Sequence, residues 1–252
     1  MGSGAPGTPV SSPTWGEYGL WCTRSPCSEP YLGRKRPSAH PWICQYREFR
    51  LSLQRMNTEK HPFQPFLPEN ARILFLGSFP PQPHRWCMPF YYPNWINDFW
   101  RIMGLIHFGD KEHFCVPGEK RFDEAAIRMF CTDAGLAFYD TATEVRRLKD
   151  NASDAFLEVV TPTDIPALLA RIPECRTLVT TGEKASTIIS QTFGCPIPSV
   201  GSYVNIVIPS EPSVIPSEAK EPITFWRMPS TSRAYPLKLE KKADEYWKLF
   251  RA

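Results

Sequence analysis

The chain has 252 residues, 42% of them hydrophobic, and 29 Lys/Arg against 26 Asp/Glu give a formal charge of +3. That is enough chain for one sizeable core, and too little net charge to announce a polyanionic partner by itself, although a local basic surface fits inside a near-neutral total. The apolar runs stay under ten residues, too short for a bilayer-spanning helix.

The beginning, MGSGAPGTPVSSPTWGEYGLW, lacks the basic start and apolar stretch of a secretory signal, and Pro6 breaks a myristoylation pattern. The expectation is a soluble intracellular protein with no membrane partner. Eight cysteines (Cys22, Cys27, Cys44, Cys87, Cys115, Cys131, Cys175 and Cys195) include no CxxC pair. They read as reduced thiols, and they argue against a zinc or iron–sulfur site.

Residues 1–55 contain seven Pro, six Gly and seven Ser, with seven Lys/Arg against three Asp/Glu. No helical or strand period persists there, and such a composition buries too little apolar surface to offset its ordering entropy. The segment is taken as a disordered or non-native extension ahead of Met56. The rival reading is a basic arm on nucleic acid, helped by GRKRP at 33–37.

From Arg72 onward the pattern becomes regular. ARILFLG is an apolar strand ending in glycine, WINDFWRIMGLI has apolar residues at helical spacing, and FDEAAIRMFCTDAG is an amphipathic helix ended by Gly135. The strand LAFYDT, a connecting segment, the helix DIPALLARI, the strand RTLVTTG and the helix EKASTIISQTFG follow. YVNIVIP, the short strand ITFWRMP and the helix LKLEKKADEYWKLF complete the chain, the last with Leu239, Ala243, Tyr246 and Phe250 on one face. Between the final strand-like pieces, VIPSE occurs twice within residues 207–218, and 209–222 reads as an inserted low-complexity surface loop.

Strands alternating with helices predict an α/β fold, a parallel sheet covered on both faces. Ligands of such sheets gather at the carboxyl ends of strands, which here are GSFPP, YDTATE, TTGEKA and MPSTSRAY. No GxGxxG follows the first strand, which argues against a dinucleotide binder. In MPSTSRAY, Ser230, Thr231, Ser232 and Arg233 suit a phosphate, or else the hydroxyls are helix caps. RWCMPFYYPNWINDFW gathers seven aromatics around Asn94, Asn97 and Asp98. Phe99 and Trp100 belong to the core, while others sit where an aromatic face stacks on a base. Asn97 has two readings, a base- or water-orienting amide and a helix cap.

The ordered set GSFPP, YYPNWINDFW, YDTATEVRRLKDNASD, LVTTGEKA and MPSTSRAY, across about residues 60–252, resembles the uracil-DNA glycosylase superfamily. It looks most like its hypoxanthine-DNA glycosylase and mismatch-specific branch. The resemblance implies a three-layer α/β/α sandwich on a short, mainly parallel four-stranded central sheet. It also implies a monomeric, cofactor-free, metal-free glycosylase associated with the nucleoid, acting on DNA that contains a deaminated base, hypoxanthine or uracil.

In that family frame Asn97 is the implied catalytic residue, and Gly77, Ser78, Phe79, Pro80 and Tyr92 shape the base pocket. Ser230, Thr231, Ser232 and Arg233 hold DNA, with Arg233 or Tyr235 filling the gap left by the extruded base. Asp140 and Asp154 are further candidates, read here as structural hydrogen-bonding groups. Two departures stand out: the carboxylate or amide of the uracil-specific first motif is replaced by Ser78 and Phe79, and Met228 stands about where several members place a histidine. That leaves two rivals, an enzyme acting mainly on uracil and a damage-binding protein without turnover.

Overall fold

The computed structural model describes residues 58–148, 154–207 and 222–251. The expected extension over 1–55 and nearly all of the expected inserted loop lie outside the described residues. The strands are β1 (Glu59–Lys60), β2 (Ile73–Gly77), β3 (Leu136–Asp140), β4 (Ala142–Arg147), β5 (Leu157–Pro162), β6 (Thr177–Thr180), β7 (Ser202–Ile206) and β8 (Ile223–Arg227). The helices are α1 (Phe99–Phe108), α2 (Glu124–Asp133), α3 (Ile165–Arg171), α4 (Glu183–Phe193) and α5 (Leu239–Trp247).

The central sheet has the order β3-β2-β6-β8-β7. Four strands run parallel, and β7 joins the edge antiparallel to β8. This corrects the four-stranded expectation to five. SYVNI is the added strand; on an edge, with Tyr203 52% exposed, it lacks the apolar continuity of a central strand. By contrast all five residues of β3 are buried, and Leu74, Phe75 and Leu76 of β2 are wholly so.

The segment after β3, expected as a connection, instead forms a second, three-stranded antiparallel sheet in the order β1-β4-β5. Its small core of Ala142, Val145 and Leu157 packs against Phe79 and Val159. The chain before β2 ties both sheets together. Glu59 and Lys60 pair with β4, while Phe66 exchanges two backbone hydrogen bonds with Phe138 on the outer edge of β3.

Helix ends follow local chemistry. Asp123 caps α2 by accepting from the Ala126 amide, Asp164 caps α3 through the Ala167 amide, and α4 stops at Gly194 with a left-handed φ of 61°. The connection from β2 leads to β3 on one side, whereas β6 and β8 lie on the other. Right-handed crossovers therefore put α1 and α2 on one face of the sheet and α3 and α4 on the opposite face. The direction reverses at β2, so a crevice opens beyond its carboxyl end, between β3 and β6.

Candidate active site

That crevice is a cleft of about 710 Å³. Its lining includes Gly77, Ser78, Phe79 and Pro80 after β2, Asp140 at the end of β3, Thr181 and Gly182 after β6, and Ser230, Thr231 and Ser232 after β8. Tyr92 and Asn97 enter from the aromatic segment, and Arg147 and Asp154 from the second sheet and its loop. Nine of the ten residues expected at a site thus line one cleft. Arg233 does not. Its guanidinium pairs with Asp98 at 3.2 Å and remains half exposed.

Parallel register sets Gly77 directly beside Asp140. A Cβ on Gly77 would collide with the Asp140 Oδ1, so glycine here makes room for a carboxylate. The other oxygen of Asp140 lies 2.8 Å from His61 Nε2, and both side chains are at most 10% exposed. An ionised carboxylate only accepts, so His61 Nε2 is the donor. His61 Nδ1 faces both the Phe63 amide, at 3.1 Å, and the Phe63 carbonyl, at 2.9 Å. The ring therefore has a partner in either protonation state. His61 is held in place by its own amide, which donates to Thr143 at 2.8 Å, and by the rings of Phe79 and Tyr139.

Asp140 is a strand-end carboxylate visible in LAFYD. His61 gives no local signal, because it reaches Asp140 only through the pairing of the preceding β1 with β4.

Ser78, which brings no acid of its own, donates its hydroxyl to Asp154 Oδ1 at 2.6 Å. Asp154 remains exposed on the cleft, yet partial desolvation raises its pKa above the usual aspartate value, against the lowering pull of Ser78, Lys184 and Arg147; nearby Asp140 raises it further. The first motif thus acquires a carboxylate from a residue 76 positions downstream. Arg147 fastens the turn itself, donating to the Pro80 carbonyl at 2.5 Å while pairing with Glu59 at 2.9 Å. Phe79 packs against the satellite core and presents its ring to His61 and Arg147, so it forms a wall between the two sheets.

Tyr92 has φ 51°, the left-handed conformation that bulky side chains rarely adopt. One face of its ring stacks on Phe99, with centroids 3.9 Å apart and planes 5° from parallel. Its hydroxyl meets Thr181 Oγ1 at 2.9 Å, and burial raises its pKa well above that of free tyrosine. The strain fixes a ring whose position on the cleft is set by both neighbours.

Asn97 lies on the cleft, one residue ahead of Asp98, the N-cap of α1. Asn97 Oδ1 accepts from the Phe99 amide at 2.9 Å, a turn just ahead of α1 rather than a cap of it. Its Nδ2 amide is a donor on a residue that lines the cleft. The neighbouring Asp98 is buried and accepts from Lys242 Nζ at 2.9 Å, and its amide donates to the Thr231 carbonyl. Lys242 is itself fully buried and also donates to the Ser232 carbonyl, so α1, α5 and the MPSTSRAY loop are locked together.

In that loop the Ser230 hydroxyl accepts from the Ser232 amide and the Ser232 hydroxyl from the Ala234 amide. These are turns within the loop rather than caps of α5, whose N-cap is Lys238. Thr231 is only 2% exposed.

Among the described residues no group of three His, Cys, Asp or Glu could hold a metal ion, the five cysteines are free thiols, and no helix is long and apolar enough to cross a membrane.

Neither a protein-family model nor a curated protein matches the chain. Among solved structures it is similar to the solution NMR structure of a putative uracil DNA glycosylase from Methanosarcina acetivorans. The TM-score is 0.50 at 19% identity, over 76% of this chain and 96% of that one. What the two chains share at that identity is the fold.

Proposed function

We propose that this cleft hydrolyses the N-glycosidic bond of a deaminated base, hypoxanthine or uracil, extruded from DNA. The observation that carries the reading is the meeting, at the switch point of the sheet, of an amide donor at Asn97, a rigid aromatic at Tyr92 and two carboxylates, Asp140 and Asp154. The volume is that of a small-ligand site. The fold shared with the Methanosarcina acetivorans protein supports the same reading.

A base inside a duplex is unreachable, so extrusion comes first, at a cost of a few kcal/mol that falls for mispaired bases. As the bond from the base nitrogen to C1′ breaks, negative charge gathers on the base and positive charge on the sugar. Asn97 Nδ2 donates to the departing base, where a fixed donor lowers the barrier. Asp154, anchored by Ser78, accepts a proton from the attacking water while the water oxygen bonds to C1′. Its raised proton affinity suits that task. Ser230 and Ser232 sit where flanking phosphates would run, and Arg85, exposed on the cleft, is a cation available to them.

The rival is a damage-binding protein without turnover. Incubating the whole chain with duplexes carrying one inosine, uracil or xanthine, then cleaving abasic sites with alkali, separates the two. Strand breaks at the modified position are expected. Tight binding with no abasic product would establish the rival instead.

A further inference from the structure

We infer that Arg101 is a positioning residue, which fixes the turn 94–97 from behind the cleft and so sets where Asn97 stands. This rests on the donor role proposed for Asn97, and it adds a residue that does not itself line the cleft.

The turn carries two asparagines, Asn94 and Asn97, and both line the cleft. It is closed by the Asn97 amide, which donates to the Asn94 carbonyl at 2.8 Å, and by the Ile96 amide, which donates to Asn94 Oδ1 at 3.1 Å. The chain entering it is held too, since the Cys87 amide donates to the Pro93 carbonyl at 2.9 Å. The carbonyls of Trp95 and Asn97 go to one group. Arg101 Nη1 donates to the first at 2.8 Å and to the second at 3.3 Å. A terminal guanidinium nitrogen carries two hydrogens, one for each acceptor. Arg101 lies in the first turn of α1, four residues after Asn97, so the helix anchors the turn that precedes it.

The guanidinium is placed for this task at a cost. Arg101 is 5% exposed, and the half-exposed carboxylate of Glu112 lies 3.9 Å from its Nε. A pair of that length and exposure offsets little of the cost of burying a cation. The charge is met instead by the two carbonyl dipoles and by two ring faces, with the Trp95 centroid 4.3 Å away and that of Phe122 5.2 Å away. An unbranched apolar side chain would fill the same surroundings without a charge to bury. What the arginine contributes is therefore its hold on the two carbonyls. Lysine is no equivalent, because it has no plane to lay on the rings.

Misplacing a catalytic group by about 1 Å can cost about 100-fold in rate. Freeing the turn from Arg101 lets Asn97 move without removing it. The loss should fall on the chemical step rather than on DNA affinity, which the proposed reading assigns to Ser230, Ser232 and Arg85.

A double-variant cycle tests this. Single-turnover base release is measured on the inosine or uracil duplex, whichever the parent processes faster, with binding of the non-hydrolysable 2′-fluoro duplex alongside. Arg101→Met should slow release about tenfold or more and leave affinity within about threefold of the parent. In an Asn97→Asp background the same change should cost less than about twofold, because the group it positions is already gone. Arg101→Lys, which keeps a donor, should fall between the parent and Arg101→Met. Native-state hydrogen exchange reads the turn itself: in Arg101→Met the Asn97 amide should lose about tenfold more protection than the amides of β3.

Equal slowing in both backgrounds would make the role merely structural and overturn the inference. So would release at the parental rate by Arg101→Met. If Arg101→Met does not fold, Arg101→Lys carries the same cycle, and slowing confined to the background with Asn97 intact is again required. If the parent releases no base, the excision reading falls. Exchange then still decides the hold on the turn, and undiminished protection of the Asn97 amide would overturn it.

Discussion

Gly77 and Asp140 show how a residue without a side chain serves a residue with one. The strand-end glycine is legible in ILFLG, but its purpose is not, because the carboxylate it admits comes from a strand 63 positions later, matched by register. Ser78 is the same case. Read alone, GSFPP holds no acid, and its hydroxyl gains one only when Asp154 folds back onto it.

Desolvation raises the Asp154 pKa, so its ionisation costs the folded state some stability. The folded protein holds this proton more tightly than the unfolded chain. That contribution is complete below the unfolded aspartate value and is lost as pH rises through the raised folded one. Asp154→Asn keeps an acceptor for Ser78 without the charge, and it should melt higher than the parent at neutral pH. The advantage should shrink as pH falls through that window, which thermal melts of both proteins across the acid range will read. Base release by the same variant should fall, a stability gained at the expense of function.

Elements divide by where their stabilising contacts lie. The strands β2, β3, β6 and β8 are apolar runs, and α2 and α4 carry their own stop signals at Gly135 and Gly194, so all were readable locally. The β1-β4-β5 sheet was not. ATEVRR and LEVVTP carry charges on their outer faces, and their order comes from pairing with a two-residue strand well upstream. The helix α5 was read correctly as amphipathic, yet its apolar face also hides Lys242. A lysine is buried there because Asp98, 144 positions earlier, awaits it.

Removing one partner of such a pair leaves an uncompensated buried charge. Asp98→Ala should therefore cost about 3–5 kcal/mol in denaturant unfolding. It also releases Arg233 and loosens the loop bearing Ser230 and Ser232. Replacing Asp98 and Lys242 together by apolar residues should recover much of the loss, since the double change leaves no orphaned charge.

At the scale of the whole molecule, the reversal of strand order at β2 decides where chemistry can occur. It opens one crevice and brings to it the ends of β2, β3, β6 and β8 together with the aromatic segment before α1. The alternating pattern pointed to those strand ends, where the cleft lies, and it could not foretell that Asp154 arrives there from the turn before β5. Asn97 lines that crevice, and its oxygen holds the Phe99 amide at the first residue of α1.

Asn97→Asp separates that turn from the donor role proposed for Nδ2, because the carboxylate still accepts from the Phe99 amide but cannot donate. Single-turnover base release from a hypoxanthine duplex, with the melting temperature measured alongside, tests the account most directly. A fall of about 100-fold or more in rate at near-parental stability is predicted, the scale of losing one fixed donor to developing charge. Release at the parental rate by Asn97→Asp would contradict it.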